Sequence, residues 1–414
     1  LMTRELSKEK SLTNKYLNNI FTIKLLQILI LLIIVLVFVK ITCYPTQTAY
    51  LLYLMMMFLV FTTFSNFFAS IFQAYERLEY QSIASVLNNI LMLIGIFILI
   101  NYNYGIISFT ILYALVGGLI LIYHIFILTK NFKLPLPKIK VDWDFWKSTV
   151  KISAQFGLMG VFVTIYIWID SVMLYFMQGD QAVGLYNAAY RIVLLLLFIP
   201  TVINAALFPV MSKLYGSSPN SLKLIVEKYF KYMILIGVPL GVTITILANK
   251  IITIIFGQGF LASSPALQIL VWATVFTFGN AAFVQLFQST NKQLLLFKIT
   301  FIGMVINIAL NFILIPKYSY IAASFNTLVT EFLILLLVLI MAIRSGYIIH
   351  RKKLLKETIK IVISSVIMGL FIWIFKDFNL LILILTSAFL YVVVLFVLKG
   401  INKEDVILIN NLIK

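Results

Sequence analysis

FILINYNYGIISF, residues 97–109, and FILIPKYSYIAASF, residues 312–325, read as two versions of one segment. They stand 215 positions apart at Phe97 and Phe312, and 216 apart at Phe109 and Phe325, after one inserted residue. Gln73 and Gln288 keep the 215-residue spacing. Matching Ile, Leu and Phe alone carries little weight, because these residues recur by chance in an apolar chain. The Tyr, Ser and Phe positions beyond the apolar run carry the match.

Outward from these two segments the chain is a series of apolar runs. A hydrocarbon core about 30 Å thick needs about 20 apolar residues per helical span. Twelve such runs lie near 20–40, 49–74, 83–101, 105–129, 148–178, 184–212, 229–256, 265–288, 294–316, 319–343, 358–376 and 379–399. They are continuous and not alternating, which argues against membrane strands. Backbone groups in lipid must be satisfied within the segment, so each run is expected to be a helix. The repeated segment maps the third and fourth runs onto the ninth and tenth. An even shift keeps the orientation in the membrane, which predicts parallel six-helix halves of the kind some transporters have.

Composition agrees. The 414 residues are 62% hydrophobic and only 11% charged, with a mean hydropathy of +1.07. A soluble domain carries about 25% charged residues, and a disordered chain needs low hydrophobicity, so both classes are excluded. A net charge of +18 would point to nucleic acid in a soluble protein. Here 24 of the 32 basic residues fall in one alternate set of loops and 4 in the opposite set. Four more, Lys24, Lys151, Arg191 and Lys298, lie within or at the edge of spans. This asymmetry places the basic loops and both termini in the cytoplasm and accounts for the charge without nucleic acid. One cysteine, Cys43, allows no internal disulfide, and His124 and His350 are too few for a histidine metal site. No Gly-rich phosphate loop appears. The longest outward stretch, 249–264, holds no acidic residue, unlike the outer loop a membrane glycosyltransferase would need. The expectation is a transporter without cofactor or metal, and not an enzyme.

The organisation expected is a four-span remnant of an N-terminal lobe at 1–129 and a basic linker at 130–147 containing Pro135 and Pro137. A six-span C-terminal lobe follows at 148–345, then a basic loop, a terminal span pair and a tail at 346–414. The second half begins near Trp143–Ser148. Stepping back 215 positions lands roughly 67 residues before Leu1, room for two more helices, so the first lobe is expected to be incomplete.

Several motifs resemble one family. Thr3-Arg4-Glu5-Leu6-Ser7-Lys8 with Lys15-Tyr16-Leu17 is similar to the junction after the second helix of polysaccharide flippases. These are the O-antigen (Wzx-type) and repeat-unit exporters of the multidrug/oligosaccharidyl-lipid/polysaccharide (MOP) superfamily. Gln73-Ala74-Tyr75-Glu76-Arg77 looks like their fourth-helix exit, and Ile169-Asp170-Ser171-Val172-Met173-Leu174 their seventh helix. The most specific match is Val183-Gly184-Leu185-Tyr186-Asn187-Ala188-Ala189-Tyr190-Arg191, continued by Phe208-Pro209-Val210-Met211-Ser212 and Leu314-Ile315-Pro316-Lys317-Tyr318. The resemblance covers essentially the whole chain. It implies an all-α integral membrane protein with the two-lobe MOP-type fold, here with about 12 transmembrane helices. It also implies flipping of a polyprenyl-diphosphate-linked oligosaccharide across the cytoplasmic membrane by alternating access, for surface polysaccharide biosynthesis. Coupling to an ion gradient or membrane potential, and a polysaccharide polymerase machinery as partner, come with it. Two departures stand out: the first two helices are absent, and Trp168 sits where members often carry a basic residue. The alternatives are a small-molecule or drug exporter of the same superfamily, and a truncated, non-transporting membrane protein.

Ionisable groups at mid-span cost roughly 2.5–3.5 kcal/mol each on the insertion scale and need partners or water. Asp170 is a cavity-facing headgroup candidate or one half of an ion pair with Arg191. The Arg191 guanidinium suits bidentate contact with a diphosphate, or that pair. Arg4, Arg77 and Lys8 can form a basic mouth for the headgroup or serve as topology signals. Lys298 can contact substrate or snorkel to the interface. Glu331, mid-span, is the candidate coupling site. Asn88, Asn89, Asn307, Asn311, Gln155 and Gln285 line a sugar cavity or bond between helices. Gly237-Val238-Pro239-Leu240-Gly241 combines close helix approach with a bend, and Pro200 adds a second bend.

Overall fold

The computed structural model describes residues 2–42, 44–348 and 350–400. Among them every regular element is a helix. The chain divides into two compact units, 1–160 and 161–414. In the first, α1 (Met2–Lys8) leads through a short 3-10 turn into α2 (Thr13–Thr42). There follow α3 (Thr46–Ala74), α4 (Leu78–Asn101) and α5 (Ile106–Lys130), and α6 (Trp143–Gln178) begins. The second unit takes the rest of α6, then α7 (Asp180–Leu196), α8 (Phe198–Ser217), α9 (Pro219–Phe256) and α10 (Ser264–Ser289). It ends with α11 (Gln293–Arg344), α12 (Arg351–Ile374) and α13 (Leu380–Val397).

All twelve expected runs are helical. Among the described residues, ten continuous segments are long and apolar enough to cross a membrane. One of them, the 52-residue α11, is two legs joined at Ser319, where φ is 52° and ψ −137°. α6 supplies the remaining run. The run at 184–212, expected as one helix, is divided at Leu197 into α7 and α8. Pro200 is the cause: it has no N–H for the Leu196 carbonyl, and its ring crowds that oxygen.

The repeat is visible in the backbone. Glu76 (φ 60°) ends α3 and Asn291 (φ 58°) ends α10, 215 positions apart. Asn103 (φ 53°) joins α4 to α5 and Ser319 (φ 52°) joins the legs of α11, 216 apart. Non-glycine residues with positive φ are uncommon. Two such pairs at the repeat spacing therefore cannot be ascribed to shared apolar composition.

Each unit has its own core. Leu17, Phe67, Ile71, Phe72 and Leu128 anchor the first, and Met233, Phe278, Phe283 and Phe287 the second. Gly237 and Gly241 let α9 close on α10: a Cβ at Gly241 would lie 2.8 Å from Val275 Cγ2. Pro239 between them is carried within α9. The Lys231–Glu357 ion pair at 3.6 Å ties α12 to α9. The long faces that carry exposed Ile33, Leu93 and Phe389 are what hydrocarbon requires and water does not tolerate.

Candidate functional site

Two carboxylates inside the second unit organise its polar chemistry. Asp170 of α6 is buried. Its Oδ2 accepts from Tyr186 Oη at 2.9 Å and Thr327 Oγ1 at 2.7 Å, and its Oδ1 from Asn311 Nδ2 at 2.5 Å. Asn311 also donates to Asn307 Oδ1 at 3.0 Å and accepts from Asn326 Nδ2 at 2.9 Å. The donors come from α7 and from both legs of α11, so the kink at Ser319 folds Asn311 and Thr327 onto one acid.

Glu331 lies one turn beyond Thr327 and is half-buried. Tyr166 Oη donates to its Oε1 at 2.5 Å, and Thr277 Oγ1 and Asn280 Nδ2 to its Oε2 at 3.1 and 3.2 Å. Tyr166 is one turn before Asp170 on α6. The second leg of α11 thus packs on α6 in antiparallel register, with tyrosine against glutamate and threonine against aspartate. Among the described residues neither carboxylate has a basic side chain in ion-pair range. Acids without an ion-pair partner inside apolar helices are expensive, which makes both functional-site candidates. Asn280 Oδ1 and Asn326 Oδ1, one beside each acid, have no hydrogen-bond partner among the described residues.

The expected Asp170–Arg191 pair is not formed. Tyr186 presents its hydroxyl to Asp170. Arg191 lies five residues on, about 140° around a helix of 3.6 residues per turn, and is exposed. Lys298 is exposed near the start of α11. Arg77 sits in the turn after α3 and bonds Glu79 at 3.0 Å, both exposed. The side chains of Arg4, Lys8, Gln155 and Lys151 lie outside the described residues. Asn311 bonds Asp170 across helices and Asn307 within its own leg of α11, and Gln285 donates to the Asn204 carbonyl at 3.1 Å. Asn89 is exposed and Asn88 half-buried on α4.

Sequence reasoning singled out both acids and missed their partners Tyr166, Tyr186, Thr277, Asn280, Asn326 and Thr327. One signal was present. Tyr166/Asp170 and Thr327/Glu331 are both hydroxyl–acid pairs at i, i+4, the spacing that puts two side chains on one helix face.

A family model described as polysaccharide biosynthesis protein matches residues 1–215, and one described as MatE matches 156–313. The uncharacterized membrane protein MJ1068 of Methanocaldococcus jannaschii is 30% identical over 168 residues, 40% of this chain and 33% of that protein. The probable flippase AglR of Haloferax volcanii is 28% identical over 169 residues, 40% of this chain and 35% of that one. The matches thus span about a third of the length of these curated relatives. The lipid II flippase MurJ in an inward closed conformation superposes with a TM-score of 0.80 at 18% identity, covering 98% of this chain and 88% of that one. At such identity the likeness is one of fold, and the fold is of the MOP type.

Proposed function

This chain belongs to the polysaccharide biosynthesis protein family, and from that premise we propose that it is a flippase for a polyprenyl-diphosphate-linked oligosaccharide. It would carry repeat units across the cytoplasmic membrane by alternating access, with both ends of the chain cytoplasmic. A polysaccharide polymerase machinery is the partner that would consume the product.

The observation that carries this reading is how the charges in the spans are sorted. Arg191 and Lys298 are exposed and, among the described residues, have no acidic partner, whereas Asp170 is sealed among hydrogen-bond donors and Glu331 is half-buried. A diphosphate headgroup needs exposed cations, and an organic cation would need exposed acids. Arg191 is the principal headgroup contact, with Lys298, Arg77 and Arg4 as further contacts and Asp170 as the acid that shapes the wall behind. Glu331, reachable and held by three donors, is the coupling site for an ion gradient or membrane potential.

The second reading, a drug exporter, is favoured by the MatE match at 156–313. One experiment separates the two. The full-length protein is reconstituted into vesicles with a fluorescent polyprenyl-diphosphate saccharide or with ethidium. Movement of the saccharide between leaflets, lost in Arg191→Ala, is expected. Ethidium movement without saccharide movement overturns the proposal.

A further inference from the structure

The segment joining α5 to α6 is not a slack loop. Lys138 N–H donates to Asn18 Oδ1 at 2.7 Å, Lys140 N–H to Thr22 Oγ1 at 3.0 Å and Asp142 N–H to Asn19 Oδ1 at 3.1 Å. Alternate backbone groups are thus fastened to the start of α2. Asp142 also pairs with Lys15 at 3.2 Å and accepts from Phe145 N–H at 3.0 Å at the start of α6. Trp146 Nε1 adds a bond to Asn19 Oδ1 at 3.2 Å.

In extended chain, successive side chains point to opposite faces. Along Lys138-Ile139-Lys140-Val141-Asp142 one face is therefore charged and the other apolar, and Trp143 follows as the first residue of α6. The apolar face is bare: Ile139 is 70% exposed, Val141 48% and Trp143 74%. Water is a poor environment for three large apolar groups on a segment held in place by hydrogen bonds.

The height of the segment says what covers them. From Leu25 to Val39 the one strongly polar residue of α2 is Gln27. At 1.5 Å rise per residue, Thr22 lies about 4.5 Å and Asn18 about 10 Å short of Leu25. The headgroup layer is about 5–8 Å thick on each side of the hydrocarbon core. Lys140, on Thr22, is tethered within that layer, and Lys138 and Asp142, on Asn18 and Asn19, at its outer edge. Residues 130–147 carry five lysines against Asp142 and Asp144, and Asp142 is engaged by Lys15.

We propose that residues 138–143 form an anionic-lipid binding strand in the leaflet on the basic side. Lys138 and Lys140 take the lipid phosphates, and Ile139, Val141 and Trp143 seat at the acyl boundary.

The test uses a variant with Trp143 as its sole tryptophan (Trp146, Trp168, Trp272 and Trp373 to Phe) in phosphatidylcholine vesicles. These are doped with brominated phosphatidylglycerol or, separately, brominated phosphatidylcholine. Trp143 fluorescence should be quenched by both and more strongly by the phosphatidylglycerol. The excess should vanish in Lys138→Ser/Lys140→Ser. Ile139→Ser/Val141→Ser should weaken quenching by both lipids. Because Trp146→Phe removes a bond to α2, native mass spectrometry on the chain with all its tryptophans supplies a second readout: phosphatidylglycerol retained after delipidation should fall in the double lysine variant. Equal quenching by the two lipids, quenching only by aqueous iodide, or retention unchanged in the lysine variant would overturn the proposal.

Discussion

Between α3 and α5 the chain turns with positive φ at Glu76 and Asn103; between α10 and the end of α11 it turns the same way at Asn291 and Ser319. The interiors of these two copies diverge. Thr277 and Asn280 of the later copy correspond, at 215 residues' spacing, to Thr62 and Ser65. Asn307 and Asn311 correspond to Met92 and Ile96, and at 216 residues' spacing Thr327 and Glu331 correspond to Ile111 and Leu115. At four of these six positions the earlier copy folds with apolar side chains where the later one has two amides, a hydroxyl and an acid, while Thr62 and Ser65 stay polar. The backbone plan therefore does not require the polar cluster. A feature that costs free energy in a membrane and that the architecture can do without is retained for what it does.

The largest expected effect comes from erasing the difference. Glu331→Leu installs the residue of the earlier copy, and transport of the lipid-linked saccharide should fall to background while the melting temperature holds or rises. Transport that survives this change breaks the comparison. Close helix approach comes next. A methyl at Gly241 meets Val275 at 2.8 Å, whereas one at Gly118 of α5 would meet the Phe61 ring at 3.4 Å. Gly241→Ala should cost about 1–3 kcal/mol by overpacking, read from denaturant or thermal unfolding in detergent, and Gly118→Ala much less. Third, Thr277→Val removes a donor from Glu331 and should cost about 1 kcal/mol. Thr62→Val loses only bonds to the Phe58 and Leu59 carbonyls of its own helix and should be close to neutral. The joining turns come fourth. Ser319→Gly relieves a backbone that non-glycine residues avoid and should stabilise by about 0.5–1 kcal/mol. Asn103→Gly should give less, since Asn tolerates positive φ better.

The smallest effect lies outside both copies. Phe145 N–H, and then Lys15, hold the half-buried Asp142 carboxyl below its usual range. A lowered folded-state pKa means its contribution is present above the unfolded value, about 3.9, and is lost as pH falls through the folded one. The protection factor of the Phe145 amide, taken relative to intrinsic exchange at each pH, should hold near neutrality and fall in acid, and Asp142→Asn should remove that fall.

The spans and the repeat were legible because lipid imposes a one-dimensional rule on the chain: apolar runs of fixed length with basic loops on one side. Even the turn at Ser319 was foreshadowed by the interval between the runs ending at 316 and starting at 319. The break at Leu197 was only half legible. Pro200 announces a bend, but whether a helix bends or stops depends on what packs around the freed carbonyl. The acid clusters were legible as single residues and not as sites. Tyr166 and Glu331 are 165 residues apart in sequence, and a hydroxyl in an apolar helix looks the same whether it serves a distant acid or its own backbone. The Asp170–Arg191 expectation failed because opposite charge was weighed and helical phase was not.

The alternation along α6 and α11 has a mechanical consequence. Each helix presents hydroxyl and acid one turn apart, so the contact has a single comfortable notch. Slipping the helices by one turn in one direction sets Asp170 against Glu331, acid facing acid; in the other it strands both acids against groups with no proton to give. Adding a proton to either acid softens that penalty. On the proposed coupling role of Glu331, the pair would act as a detent whose stiffness depends on its proton occupancy.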